Sequence, residues 1–231
     1  MEITPDHLIL FQWGFVHLNA TIVYTWGVML LLILAAWVAI RGIRLDGPRS
    51  RWQNAMEAIV LGIRGQIREV SGREGSDDYI PFIGTLFLFI AASNELHVVP
   101  GWHAPTASLS TTAALAICVA VSVPVFGIRK AGLKRYLHHY LSPVFVMLPI
   151  HLISEVSRTI ALAVRLFGNI MSGSMLVAIL LALAPLFFPV PVQALDLVIG
   201  LIQAYIFAIL AMVFIAAAVR REDERPQEPT T

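Results

Sequence analysis

Residues Thr159–Ala184 read TIALAVRLFGNIMSGSMLVAILLALA, and among these 26 residues only Arg165 carries a charge. About 20 consecutive apolar residues suffice for a helix to cross the hydrocarbon core of a bilayer. The stretch therefore predicts a membrane helix with a cation inside it. Arginine keeps its proton at any physiological pH. At the bilayer centre it costs from about 3 to well over 10 kcal/mol, depending on the reference state. Some interaction must offset that cost, and its identity decides what the chain does.

The surrounding composition agrees with a membrane setting. The 231 residues are 58% hydrophobic and 13% charged, with a mean hydropathy of +0.77. Soluble domains run at roughly 45–50% apolar and about 25% charged, so the chain reads as a polytopic membrane protein. The single cysteine, Cys118, lies in an apolar run and supplies neither a disulfide framework nor a metal site. The N-terminal MEITPDHLILFQWGF has no basic n-region and no small-residue cleavage site, so no removable signal peptide is expected.

Apolar runs predict five spans, at residues 20–40, 80–99, 110–128, 142–184 and 193–219. The fourth, as one continuous helix, would be roughly 64 Å long, so it must tilt strongly or bend near Pro149. A turn, PLFFPVP at Pro185–Pro191, separates it from the fifth. Of 16 Lys and Arg, seven lie in Arg41–Arg73, four in Arg129–Arg135 and three in Arg220–Arg225. The segments His97–Ser110 and Pro185–Pro191 and the arm 1–19 contain none. The positive-inside rule then puts the arm outside and the polar tail 220–231 in the cytoplasm. In Arg51–Val70, Trp52, Met56, Ile59, Val60, Ile63, Ile67 and Val70 recur at helical spacing, with Arg64 and Arg68 off the stripe. That pattern predicts a helix lying on the cytoplasmic surface. The expected fold is a single all-α polytopic membrane domain of five helices, the long fourth packed against the fifth, plus this interfacial helix.

Two basic residues remain, Arg158 and Arg165, both in the fourth span. Positions seven apart on a helix fall within about 20° of one another, which aligns His151, Arg158, Arg165 and Ser172; Asn169 is one turn beyond Arg165. Ala161, Gly168, Ser172 and Gly173 leave that side flat enough for a close neighbour. Glu155 is spaced to pair with Arg158, and together with His151 these form a candidate group near the cytoplasmic end. Arg165 has no carboxylate in reach along its own helix. A structural reading satisfies it from Glu95, Glu155 or Asp196; a functional one places it on an ion path. In the last span Asp196 and Gln203 are again seven apart, and Gln203 lies deep enough to hydrogen-bond Arg165 across the helix pair. Asn94 and Glu95 sit at the outer end of the second span, in a vestibule or as caps. His97 and His103 read as loop histidines, and His138 and His139 as headgroup-region residues.

Arg165 within AVRLFGN, Asn169 four later, the approach ISEVSRTIAL and LIQAYIF around Gln203 together resemble subunit a of rotary (F-type) ATP synthases, over about residue 80 to Val219. The arm QWGFVHLNATIVYTW is similar to the divergent bacterial N-type group. The resemblance implies a stator subunit with two offset half-channels, set against a rotating ring of c subunits that each carry a mid-membrane carboxylate. It implies Arg165 as the essential charge, with Asn169 and Gln203 as its polar companions. Asp196, Asn94 and Glu95 would line the outer half-channel, with Ser174 beside them. Implied partners are the c-ring, b-type stator subunits, the catalytic ATPase head and the lipid bilayer, in a bacterial inner membrane, with no cofactor, metal, catalytic site or nucleic acid. Three departures stand out. Ser174 occupies a position often held by glutamate or histidine, Asp196 one often held by histidine or glutamate, and Thr159 one where proline is common. A serine cannot relay a proton by changing its charge, although it can ligate a hard cation, so both H⁺ and Na⁺ coupling stay open.

Other classes fit less well. There is no G-x-x-x-x-G-K-[ST] nucleotide loop, and five spans without an inverted repeat argue against a secondary transporter. A haem carrier needs paired intramembrane histidines, and only His151 lies well within a span. A purely structural anchor leaves Arg165 unexplained.

Overall fold

The structure, a computed structural model, describes residues 9–13, 16–41, 76–99, 101–132, 147–183 and 189–223, with a set of helical residues between 54 and 69. Five helices follow in order: α1 (Ala20–Arg41), α2 (Ile80–Glu95), α3 (Leu109–Ala131), α4 (Met147–Leu183) and α5 (Pro189–Asp223). Among the described residues all five are long and apolar enough to cross a membrane. The chain is an all-α polytopic membrane protein, with one small exception. In the arm, β1 (Ile9–Trp13) and β2 (Val16–Asn19) pair antiparallel, where the sequence reading gave only an outer arm within an all-α fold.

The helix ends follow local chemistry. Pro81 stands in the first turn of α2, where a missing N–H removes no intrahelical bond. In α3, Gly132 ends the helix at φ +83° and its N–H donates to the Ile128 carbonyl at 2.8 Å. Pro149 lies in the first turn of α4, so all 37 residues run on as one helix. At 1.5 Å per residue α4 is about 55 Å long against a hydrocarbon core of about 30 Å. Its tilt is therefore enforced by length alone.

The core lies among α2, α3, α4 and α5, where Ile90, Val119, Leu166, Phe207, Met212 and Ile215 are fully buried. Apolar side chains gain little by leaving lipid for protein, so membrane helices associate through close packing of small residues. Ala204, Ala208 and Ala211 supply such a stripe on α5, with Ala116 on α3. By contrast α1 presents Trp26, Leu30, Ile33, Leu34, Trp37 and Val38 outward, a surface suited to acyl chains. It touches the rest mainly at α2 and at the segment joining α2 to α3.

That connecting segment shapes the lysine- and arginine-free end of the bundle. After a 3-10 turn at Leu96–Val98 the chain turns at Gly101 (φ +86°) and enters a second 3-10 turn, Pro105–Ala107. Residues 104–108 are all buried, and Ala104 and Ala107 pack with Ile170 of α4. The segment dips into the bundle. Its outer part is held to α1: the Tyr24 hydroxyl donates to the Gly101 carbonyl at 3.3 Å, and its ring lies 4.9 Å from that of Trp102. A Cβ at Gly27 would stand 3.1 Å from the Trp102 ring, closer than an ordinary carbon contact.

The interfacial stripe of Arg51–Val70 falls largely outside the described residues; those described are helical, with Val60 and Leu61 exposed. Gln66 accepts a hydrogen bond from the Tyr205 hydroxyl at 2.8 Å. His138, His139 and the turn 184–188 also lie outside the described residues.

Candidate functional site

Two contacts fix how α4 and α5 run past each other. Gly173 lies against the Asp196 carboxyl, and the Arg158 guanidinium lies 4.9 Å over the Phe214 ring. The helices are therefore antiparallel, and interpolation puts Arg165 level with about Tyr205 and Gln203 level with about Phe167. Arg165, Gln203 and Asn169 thus fall within about two turns of one another, deep within both spans.

The three differ in exposure. Leu162, Ala163 and Leu166 turn one side of α4 into the core, while Ala161, Arg165 and Ser172 are exposed. Among the described residues the Arg165 guanidinium makes no ion pair or hydrogen bond. Gln203 is buried between the helices, and its Nε2 has no hydrogen-bond partner; the same holds for the buried Nδ2 of Asn169. The expected Gln203–Arg165 bond is not made. Glu95, Glu155 and Asp196 do not pair with Arg165 either, so no counter-ion for it stands among the described residues.

Toward the end of the bundle where α4 begins, the spacing of Glu155 and Arg158 suggested an ion pair. The structure gives Arg158 a different partner: its guanidinium is exposed and covers the face of Phe214, an electrostatic attraction to the ring quadrupole. Thr159 donates its hydroxyl to the Glu155 carbonyl at 2.9 Å. His151 lies in α4, its side chain outside the described residues.

A second polar group gathers at the opposite end. The Asn94 amide is engaged at both ends: Nδ2 donates to the Gly200 carbonyl at 2.9 Å, and Oδ1 accepts from Thr106 at 2.9 Å. A Cβ at Gly200 would stand 3.1 Å from that of Asn94, so α2 and α5 approach closely here. Asp196 is half-buried one turn outward on α5, its carboxyl seated on the bare Cα of Gly173. His97 is half-buried in the 3-10 turn Leu96–Val98 that follows α2. Ser93 Oγ, His97 Nδ1 and His103 Nδ1 are buried without partners. Ser174 is half-buried and bonds its own helix, at the Met171 carbonyl 3.0 Å away. Glu95 is exposed.

The structure thus brings Asn94 and Asp196 together, keeps Glu95 and Ser174 out of their hydrogen bonds, and adds Ser93 and Thr106, which the sequence reading did not name, and His97, which it read as a loop histidine. Ser93 and His97 share a helix face by their four-residue spacing, which was a usable signal. Thr106 gave none, because nothing in APTAS announces a buried segment.

Comparison with known proteins extends over nearly the whole chain. Residues 22–216 match the model of the family described as ATP synthase A chain. The chain is 57% identical to ATP synthase subunit a 2 of Acaryochloris marina over 218 residues, 94% of this chain and 93% of that one. It is 53% identical to ATP synthase subunit a 1 of Crocosphaera subtropica over 225 residues, 97% of each. With ATP synthase subunit a of Albidiferax ferrireducens the identity is 52% over 227 residues, 98% of each.

Proposed function

Because the chain belongs to the ATP synthase A chain family, we propose that it is the stator subunit through which ions pass in the membrane sector, and that Arg165 is the charge on which their passage depends. One observation carries the assignment of Arg165: a permanently charged group, deep in a span, stands exposed on α4 with no ion-pair or hydrogen-bond partner among the described residues. A cation so placed needs an anion from outside. A ring of subunits, each presenting a carboxylate at that depth, supplies one that changes as the ring turns.

The chemistry follows from charge. A fixed guanidinium beside an approaching carboxyl favours the ionised form and makes the carboxyl release its ion. It also bars a neutral, loaded site from slipping directly between the two half-channels. Lysine would serve poorly, since a desolvated ammonium loses its proton and a guanidinium does not. Gln203 and Asn169, with buried unpartnered N–H groups, keep the neighbourhood polar and can hold an ionised carboxylate or water beside Arg165. The flat face formed by Ala161, Gly168 and Ser172 admits the ring helix. Nothing in this role requires a nucleotide or catalytic site in the chain; the complex supplies the ATPase head.

The distribution of Lys and Arg supports an outside position for the end holding Asp196 and His97, with the N-terminus outside and the C-terminus cytoplasmic. Arg158, Glu155 and His151 then lie toward the cytoplasmic half-channel. Cysteines in a Cys118→Ser background test both points. Cysteines at Ala161 and Ser172 should cross-link to the ring and those at the buried Leu162 and Leu166 should not. An impermeant maleimide should label residue 2 from outside and residue 231 only after permeabilisation. Ring cross-links confined to the buried positions would refute the proposed face.

A further inference from the structure

We propose, resting on the reading of Arg165 above, that residues 104–108 form a dry seal inside the bundle, and that this seal leaves the rotating ring as the only route for ions between the two half-channels. The segment lies deep. Ala104 and Ala107 pack with Ile170, five residues along α4 from Arg165 and so about 7.5 Å away along the axis. Asn169, whose buried Nδ2 has no partner, precedes Ile170 on the Arg165 side. Pro105–Ala107 touches each of α1, α2, α3 and α4. The hydrogen bond from Thr106 to Asn94, continued from Asn94 to the Gly200 carbonyl, joins it to α5 as well.

Irregular backbone at such a depth has two stable settings, inside protein or along a water-filled cavity. Here the setting is protein: Ala104, Pro105, Thr106 and Ser108 are fully buried and Ala107 nearly so. The polar groups are matched locally. The Ala107 N–H donates to the Ala104 carbonyl at 2.9 Å and the Ser108 N–H to the Pro105 carbonyl at 3.2 Å, while Pro105 brings no N–H at all. The Thr106 hydroxyl donates to Asn94, and the Ser108 and Ser110 hydroxyls bond each other at 2.6 Å. The Thr112 hydroxyl donates to the Leu109 carbonyl at 3.1 Å. Over the whole run Ala104–Thr112, APTASLSTT, no side chain carries a charge or titrates near neutral pH.

Buried polar atoms without partners lie on both sides of this run and not within it. Among the described residues they include Trp102 Nε1 and His103 Nδ1 just before the segment, and Asn169 Nδ2 beyond Ile170; residues 104–112 contribute none. Unpartnered buried groups are costly, and polar pockets that hold them are where buried water sits. The pattern is two wet regions parted by a layer that offers water nothing. An ion entering that layer would shed its hydration and find no ligand in exchange. The rotary role needs such a layer, because a continuous file of water through the stator would let ions cross without turning the ring. Arg165 bars the side that faces the ring, and the segment closes the side within the bundle. Its outer end is pinned to α1 by the Tyr24 hydrogen bond to Gly101 and the Tyr24–Trp102 ring contact.

The test uses inverted vesicles carrying the whole complex, with ring and head assembly checked by co-purification. It reads the decay of an imposed pH gradient after a carbodiimide has blocked the ring carboxyls. Ile170→Ala opens space between the segment and α4, and Ala107→Ser adds a hydroxyl to the dry layer. Each should speed the decay at least fivefold over the wild type and lower the acidification per ATP hydrolysed at least threefold, with hydrolysis continuing. Ile33→Ala, on the exposed side of α1, should do neither. A merely structural defect would lose hydrolysis-driven acidification without a leak. Wild-type decay in both variants would overturn the seal. A second measurement needs no leak: in a Cys118→Ser background, His103→Cys should react with an impermeant maleimide added to both sides, and Ala107→Cys at least tenfold more slowly. Equal labelling would overturn the seal, and this comparison decides the question if Ile170→Ala and Ala107→Ser fail to assemble. Arg165→Ala, run in parallel, separates the layers: wild-type pumping there refutes the reading of Arg165, while lost pumping there beside a leak-free Ile170→Ala refutes the seal only.

Discussion

Gly173→Ala adds one methyl group at the tightest point between α4 and α5. The new carbon would stand 2.6 Å from Asp196 Cγ and 2.9 Å from Oδ2, with Oδ1 nearer still. Ordinary carbon contacts settle at about 3.5–4.0 Å, so the carboxyl must retreat by about 1 Å. A rigid site would answer with an overpacking cost of about 1–3 kcal/mol. Asp196 is half-buried and turns about two torsions, so the stability cost should fall at the low end and the complex should assemble. The functional cost is larger, because about 1 Å of misplacement in a positioned reacting group can lose on the order of 100-fold in rate. ATP-driven acidification by Gly173→Ala vesicles should therefore drop at least tenfold, while the thermal midpoint of the solubilised complex moves by only a few degrees. Gly84→Ala is the control: nothing among the described residues lies within 4 Å of a Cβ there, and alanine gains up to about 1 kcal/mol of helix propensity over glycine. Wild-type pumping by Gly173→Ala, or equal damage from Gly84→Ala, would refute the reasoning.

Three further substitutions probe the same geometry. Asn94→Ala removes the second donor to the Gly200 carbonyl and leaves the buried Thr106 hydroxyl without its acceptor. It should cost about 1–3 kcal/mol, read as a lowered thermal midpoint, with Thr106→Val costing less. Gln203→Leu removes a buried amide with an unpartnered N–H; the complex should be as stable or more so while acidification falls at least tenfold, and parallel loss of both would make Gln203 structural. Arg158→Ala should lose about 0.5–1 kcal/mol with its ring contact yet retain most pumping, and a double variant with Phe214→Leu should cost no more than the larger single change.

Much of the fold was legible because membrane helices announce themselves by length and hydropathy. The five spans differ from the sequence reading by a few residues, for identifiable reasons. The last helix starts at Pro189, since proline is accepted in a first turn, and runs to Asp223, since Arg220, Arg221 and Glu222 are good helix formers. The site was legible where periodicity reported it: Arg165, Asn169, Asp196 and Gln203 all lie on α4 and α5, whose pairing the sequence suggested. Tertiary detail was not. Whether Asn94 binds an ion or braces two helices depends on Thr106 and Gly200, twelve and 106 residues away. The burial of residues 104–108 depends on a gap among other helices. His97 reads as a loop residue because it lies just beyond α2, in the 3-10 turn Leu96–Val98.

The central claim is that Arg165 works on a counter-ion from outside its own chain, and ATP-driven acidification of inverted vesicles with Arg165→Ala tests it most directly. The variant should assemble with ring and head, because no ion pair or hydrogen bond among the described residues is lost, and should acidify no faster than vesicles without ATP. An Arg165→Ala complex that assembles and acidifies at the wild-type rate would contradict the account and leave Arg165 an ordinary surface charge.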